Sequence, residues 1–173
     1  MTSTGGVTRM INIIDIEASG LHADSYPIEI AVLIDGHTRA WLVKPEPQWT
    51  YWNDTAESIH GMTRDYLFEH GLPVAQVADE LKHHVNGAEL FSDAVTWDAD
   101  WADTLFFNSH SIRNFCISSI YEFMTDEQVE AFKENKVRLA ACGRYREHRA
   151  EEDVRLIHEA FVDLDLLGDS PAT

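Results

Sequence analysis

Apolar and polar positions alternate along the opening of the chain in a way that predicts strands. Residues 10–17 set Ile14 and Ile16 against Asp15 and Glu17, and successive side chains on a strand face opposite ways. "IEIAVLI" (28–34) and "TRAWLVK" (38–44) read as a second and a third strand. Asp35-Gly36 between them is the signature of a tight type I′ hairpin. The chain therefore opens as a three-stranded meander.

The spacing then lengthens to that of helices. "NDTAESIHG" offers Asn53 or Asp54 as an N-cap and Gly61 as a stop. "TRDYLFEHG" predicts a short helix ending at Gly71. Pro73 starts a longer one, with Val74, Val77, Leu81 and Val85 on one face. "AELFS" (88–92) predicts a short strand, residues 98–107 a helix with Trp101 and Leu105 four apart, and "FCISSIY" (115–121) a further strand. Thr125 and Gln128 form a capping box for a helix to about 140, and the last helix is expected from about 149 to 164. Strands first, then helices alternating with strands, predict a mixed sheet flanked by helices, an α/β layered fold. The first ten residues and the tail "GDSPAT" are expected to fray.

Composition narrows the class. At 173 residues and 45% hydrophobic, one domain with a real core is expected. No run approaches the roughly 20 apolar residues of a membrane span, and the N-terminus lacks a signal peptide's pattern, so a soluble, cytoplasmic protein is expected. Cys116 and Cys142 have no metal-binding spacing and read as buried free thiols. Thirteen Lys and Arg against 30 Asp and Glu give a net charge of −17. That balance argues against tight nonspecific binding of long duplex nucleic acid, which needs basic side chains on phosphates. A short or single-stranded end held through metal ions stays open.

The candidate chemistry begins at "IIDIEASGL". Asp15 and Glu17 share one strand face, where like charges repel and burial raises the pKa of at least one. A divalent cation between them makes the pair favourable, since hard cations such as Mg²⁺ and Mn²⁺ prefer carboxylate oxygens. A merely solvated acidic edge fits the D-x-E alone equally well. In "TWDADW", Asp98 lies between Trp97 and Trp101 and reads either as a helix N-cap or as a further ligand, with Asp93 and Asp100 as competitors. In "HRAEEDVRLI", His148 precedes a helix and Asp153 lies one turn inside it. A gap of five does not stack them on one helical face, but a His in the preceding loop is free to swing toward Asp153.

Together and in this order, the motifs resemble those of the DEDDh 3′→5′ exonucleases, DnaQ-like nucleases of the ribonuclease H-like fold. The likeness runs from about Met10 to Phe161. "DIEASGL" is similar to the family's first motif, "YPIEIAVL" to its second strand, "IHGMT" to a loop after the third strand, and "HRAEEDVRLI" to its third motif. The middle motif departs from the pattern: Asp93-Ala94 stand where many relatives carry His-Asn.

The resemblance implies a single exonuclease domain over 1–173, with its core at about 10–164, and a five-stranded mixed sheet. It implies two divalent cations, Mg²⁺ or Mn²⁺, held by Asp15, Glu17, Asp98 and Asp153, with Asp15 bridging. His148 would be the general base on the attacking water. Ala18 and Glu17 would hold the terminal 3′-hydroxyl, Leu21 would wedge against the terminal bases, and His60 and Met62 would line a base pocket. The implied partners are single-stranded DNA or RNA 3′ ends and short oligonucleotides, with no membrane; a homodimer is compatible. The implied reaction releases nucleoside 5′-monophosphates, and bound metal should raise the melting temperature. The alternative is a degenerate domain that binds nucleic acid or a protein partner without cleaving.

Overall fold

The structure, a computed structural model, describes residues 11–164. Met10 and the two ends expected to fray lie outside the described residues. Five strands form one sheet: β1 (Ile13–Ala18), β2 (Pro27–Ile34), β3 (His37–Leu42), β4 (Leu90–Ser92) and β5 (Ile117–Ser119). Their order is β3-β2-β1-β4-β5. The first three pair antiparallel as the expected meander, while β4 runs parallel to β1 and β5 parallel to β4. Asp35 and Gly36 both take positive φ, 50° and 79°, as a type I′ turn requires.

Helices cover both faces: α1 (Asp54–His60), α2 (Arg64–His70), α3 (Val74–Val85), α4 (Val95–Asn108), α5 (Asp126–Ala141) and α6 (Ala150–Val162). Ile14, Ile16, Ile28 and Ile30 point to one side, into a core with Val77 and Leu81 of α3 and Leu105 of α4. Ile13, Ala31 and Leu33 point to the other, against Phe132 of α5 and Val154, Ile157 and Phe161 of α6. Each such buried aliphatic side chain contributes about 1.5–3 kcal/mol, so both layers are held firmly. The even positions of β1 thus serve one core. Its odd positions begin in the second core at Ile13 and then turn polar at Asp15 and Glu17.

Local signals placed most elements. Asn53, not Asp54, caps α1, its Oδ1 accepting from the Ala56 N–H at 3.0 Å. Both hydrogen bonds of the Thr125/Gln128 capping box form. Two expectations fail. Residues 115–121 do not stay extended: after Ser119 the chain makes a turn of 3₁₀ helix (Ile120–Phe123), with the Ser119 hydroxyl accepting from the Tyr121 N–H. Helix α4 begins three residues earlier than expected, because the Ser92 hydroxyl accepts from the Ala94 N–H at 2.8 Å and turns the chain there. The cysteines are free, as expected, but both are exposed rather than buried. Among the described residues no helix is long and apolar enough to cross a membrane.

Candidate active site

Asp15 and Glu17 lie half-buried on the α6 side of β1. The strand keeps register with β2 to the Glu17–Glu29 pair and then slips, so that Ala18 pairs with Pro27. Such a bulge bends a strand and re-aims the side chains beyond it. Past the bulge Gly20 takes φ 150°, and a Cβ there would meet Asn53 Cβ at 2.8 Å and Tyr51 Cε1 at 2.9 Å. Only glycine lets the Asn53 segment close on this strand end.

Asp98 reaches the same place from α4. It is not the N-cap of that helix; Ala94 is, and Asp98 sits in the first turn with 1% of its surface exposed. Its carboxylate accepts from the Ser92 hydroxyl, and the backbone of Ile16 acts to lower its pKa. Strand β4 pairs with β1 only at Ile13–Phe91, so Asp98 takes over the edge of β1 where the sheet ends. Of its competitors, Asp100 is exposed and Asp93 forms an ion pair with Lys136 of α5.

Asp153 comes from the first turn of α6, where its N–H bonds the Arg149 carbonyl. His148 precedes the helix with φ 61°, a left-handed bend that overcomes the awkward five-residue gap. One donor atom each from Glu17, His148 and Asp153 lie within 4.8 Å of one another. The helix start is fixed from β2. Glu29, 2% exposed, accepts from Arg149 Nε at 3.0 Å, from the Arg149 terminal nitrogen at 2.7 Å and from the Ala150 N–H at 3.0 Å.

The electrostatics are those of crowded acids. Burial, then Asp98, Asp153 and Glu17, pushes Asp15 well above the usual carboxylate range. Burial, Asp153 and Glu29 lift Glu17 to about 8. Burial lifts Asp98 to about 7 against the pull of its Ser92 hydrogen bond. Asp153 rises to about 6, again mainly through burial, with Lys136 and His148 opposing. Like charges at this density are stable only if protonated or offset by cations. The donors are carboxylate oxygens with one imidazole, a set suited to hard divalent ions, so the residues present fit the implied metals.

The substrate-contact expectations divide. Leu21 is 71% exposed just past β1, where a wedge could act. Ala18 is buried at the bulge, with only its backbone edge to offer. Met62, at 3% exposure, packs within the apolar core. His60 is as buried: Nδ1 accepts from the Met62 N–H at 3.1 Å, and the buried Nε2 has no partner.

Sequence reasoning missed Glu29, Arg149, Ser92 and Lys136. A lone acid inside the apolar run "IEIAVLI" was the one signal for Glu29. Nothing local marks Lys136, one of several charged residues on α5.

No protein-family profile and no curated protein matches the chain. Solved structures do match. An exonuclease I from Methylocaldum szegediense superposes with TM-score 0.68 at 15% identity, over 89% of this chain and 39% of that one. E. coli exonuclease I in complex with a dA16 oligonucleotide gives 0.68 at 14% identity, over 91% and 42%. A zinc-bound form of the E. coli exonuclease I complex with single-stranded DNA gives 0.65 at 14%, over 91% and 40%. The chain spans about two fifths of the length of these enzymes. At such identity the likeness establishes the fold: an α/β, ribonuclease H-like sheet flanked by helices, as found in exonucleases.

Proposed function

We propose that this chain is a metal-dependent 3′→5′ exonuclease of the DEDDh kind. It hydrolyses the terminal phosphodiester of single-stranded or short nucleic acid and releases nucleoside 5′-monophosphates. One observation carries the reading. Glu17 of β1, His148 and Asp153 of α6, far apart in sequence, bring donor atoms within 4.8 Å of one another, and the charges of Asp98 and Asp153 reach Asp15 and Glu17 on the same strand. The solved neighbours add support, since their fold is the same and several were captured with single-stranded oligonucleotides.

Asp15, Glu17, Asp98 and Asp153 would hold the ions. Two bound divalent cations would supply charge neutralisation at the phosphate and acidify water, as in other in-line displacements at phosphorus. The remaining work belongs to the protein. His148, exposed at the mouth of the site, takes the proton of the attacking water on a ring nitrogen. The Glu29–Arg149 anchor keeps that ring over Glu17 and Asp153. The backbone at Ala18 and the Glu17 carboxylate hold the 3′-hydroxyl, and Leu21 separates the terminal base from its neighbour.

Approach of a polyanion to an acidic protein also has a local answer. An open cleft of about 470 Å³ adjoins the His148 segment, and Arg144, Arg146 and Arg149 line it together with Glu151 and Glu152. Arg144 is paired with Glu159 and Arg149 with Glu29, so among the described residues Arg146 is the arginine of this cleft left for a phosphate.

The test is a digest of 3′-labelled single-stranded oligonucleotide with Mg²⁺ or Mn²⁺, with and without EDTA. Metal-dependent release of mononucleotide is expected. Binding without turnover would leave a degenerate domain, and neither binding nor turnover would reject the reading.

A further inference from the structure

Lys136 reaches from α5 to Asp93 at the end of β4, and the exonuclease reading gives it no task. Lysines are seldom buried unless paired. This one is 29% exposed and forms an ion pair with Asp93, the residue after β4. Its charge is felt beyond that partner. Burial works against the ammonium, yet Asp93, then Asp15 and Asp153, hold it above the usual lysine range, and it in turn lowers Asp98 and Asp153. The geometry agrees: Asp93 directly follows Ser92, whose hydroxyl bonds the Asp98 carboxylate, so the ion pair brings the ammonium to the segment that holds Asp98.

An ammonium carries three donors. Among the described residues Asp93 is the acceptor that engages one, which leaves two for a ligand. A pair serving packing alone would be replaced by apolar side chains at no loss, because desolvating two charges offsets much of their attraction. Keeping a cation here makes sense if an anion arrives. A phosphodiester entering a pocket of carboxylates meets repulsion from each of them. A compact, strongly charged donor beside those acids counters it, and Asp93 keeps the flexible stem aimed.

We infer that Lys136 receives the scissile phosphate, donating to a non-bridging oxygen while Asp93 holds the ammonium in place. This rests on the exonuclease reading of the site and adds a phosphate-contacting residue to it.

The experiment compares wild type with Lys136→Met, Lys136→Arg and the neutral pair Asp93→Asn/Lys136→Met. Three quantities are read in Mg²⁺: calorimetric affinity for thymidine 5′-monophosphate and for thymidine, cleavage of a single-stranded oligonucleotide, and melting temperature. Lys136→Met is expected to weaken monophosphate binding by about tenfold or more, the scale of a lost charged hydrogen bond, while thymidine binding is unchanged. Cleavage falls with it, and Lys136→Arg recovers part of the loss. The neutral pair stays as weak as the single variant, although it leaves no unpaired charge. If the neutral pair regains wild-type affinity and rate, Lys136 only balances Asp93 and the inference fails. Wild-type monophosphate affinity in Lys136→Met overturns it too. Should Lys136→Met not fold, the neutral pair carries the comparison. A wild-type protein that neither cleaves nor binds the monophosphate rejects the exonuclease reading itself, an outcome distinct from active wild type with an indifferent Lys136.

Discussion

Glu29 and Arg149 lie 120 residues apart and meet in a two-pronged ion pair, Nε to Oε2 at 3.0 Å and the terminal nitrogen to Oε1 at 2.7 Å. The same carboxylate bonds the Ala150 N–H, so a strand residue anchors the start of α6. Its neighbour across the β1–β2 register is Glu17. One contact thus ties the strand that carries Glu17 to the segment that carries His148 and Asp153.

Glu29→Ala should therefore harm both fold and activity. Removing one partner of a buried pair strands the other, typically at a cost of about 3–5 kcal/mol. Urea unfolding should show a loss of that order, and the residual folded enzyme should lose kcat more than it gains in KM. A loss below about 1 kcal/mol would mean that the anchor is ornamental.

His148→Ala should separate activity from stability. The side chain is exposed, so little packing is lost, whereas a general base contributes roughly 10²–10⁴ in rate. Cleavage should fall by about that factor with the melting temperature nearly unchanged. Cleavage at the wild-type rate would remove His148 from the reaction.

Metal-free stability should fall as pH rises. Asp15, Glu17, Asp98 and Asp153 all have raised values in the fold, with Glu17 at about 8, Asp98 at about 7 and Asp153 at about 6. Between their unfolded values near pH 4 and these, the folded state binds more protons than the unfolded one, so stability is lost through that window. In EDTA the melting temperature should drop from pH 5 to pH 8. Millimolar Mg²⁺ or Mn²⁺ should restore it most at the alkaline end, by about 2.7 kcal/mol when the ion is at 100 times its Kd. A flat profile, or no metal response at pH 8, contradicts the pocket.

Asp15→Asn should raise the melting temperature in EDTA while abolishing the metal-induced rise. The change removes a charge that Asp98, Asp153 and Glu17 all oppose, and with it a ligand. Differential scanning fluorimetry with and without Mn²⁺ reads both effects. A lower apo melting temperature would show that Asp15 stabilises the fold rather than the site.

Much of this was legible in the chain. The two-residue alternation of Ile14 and Ile16 against Asp15 and Glu17 marked the strand and its polar face, because side-chain direction on a strand is fixed by the backbone. Asp35-Gly36 and the Thr125/Gln128 box acted through neighbours one to three residues away, and both formed. Failures fell where a side-chain hydrogen bond or core packing, rather than the hydrophobic period, decides. Ser92 turned the chain early and claimed Asp98, which made that residue a buried acid instead of a helix cap. Nothing in the loop motif around Met62 and His60 showed that both are buried at 3% exposure.

The sequence by itself determined the periodicities, the turns and the presence of acids at suspicious places, since these arise from local geometry and side-chain chemistry. Only the tertiary structure decided that β1, α4 and α6 end at one point, and that Glu29 and Lys136 belong there. Such contacts depend on how buried faces pack across separations of 43 to 120 residues, and no local pattern encodes a distance of that kind.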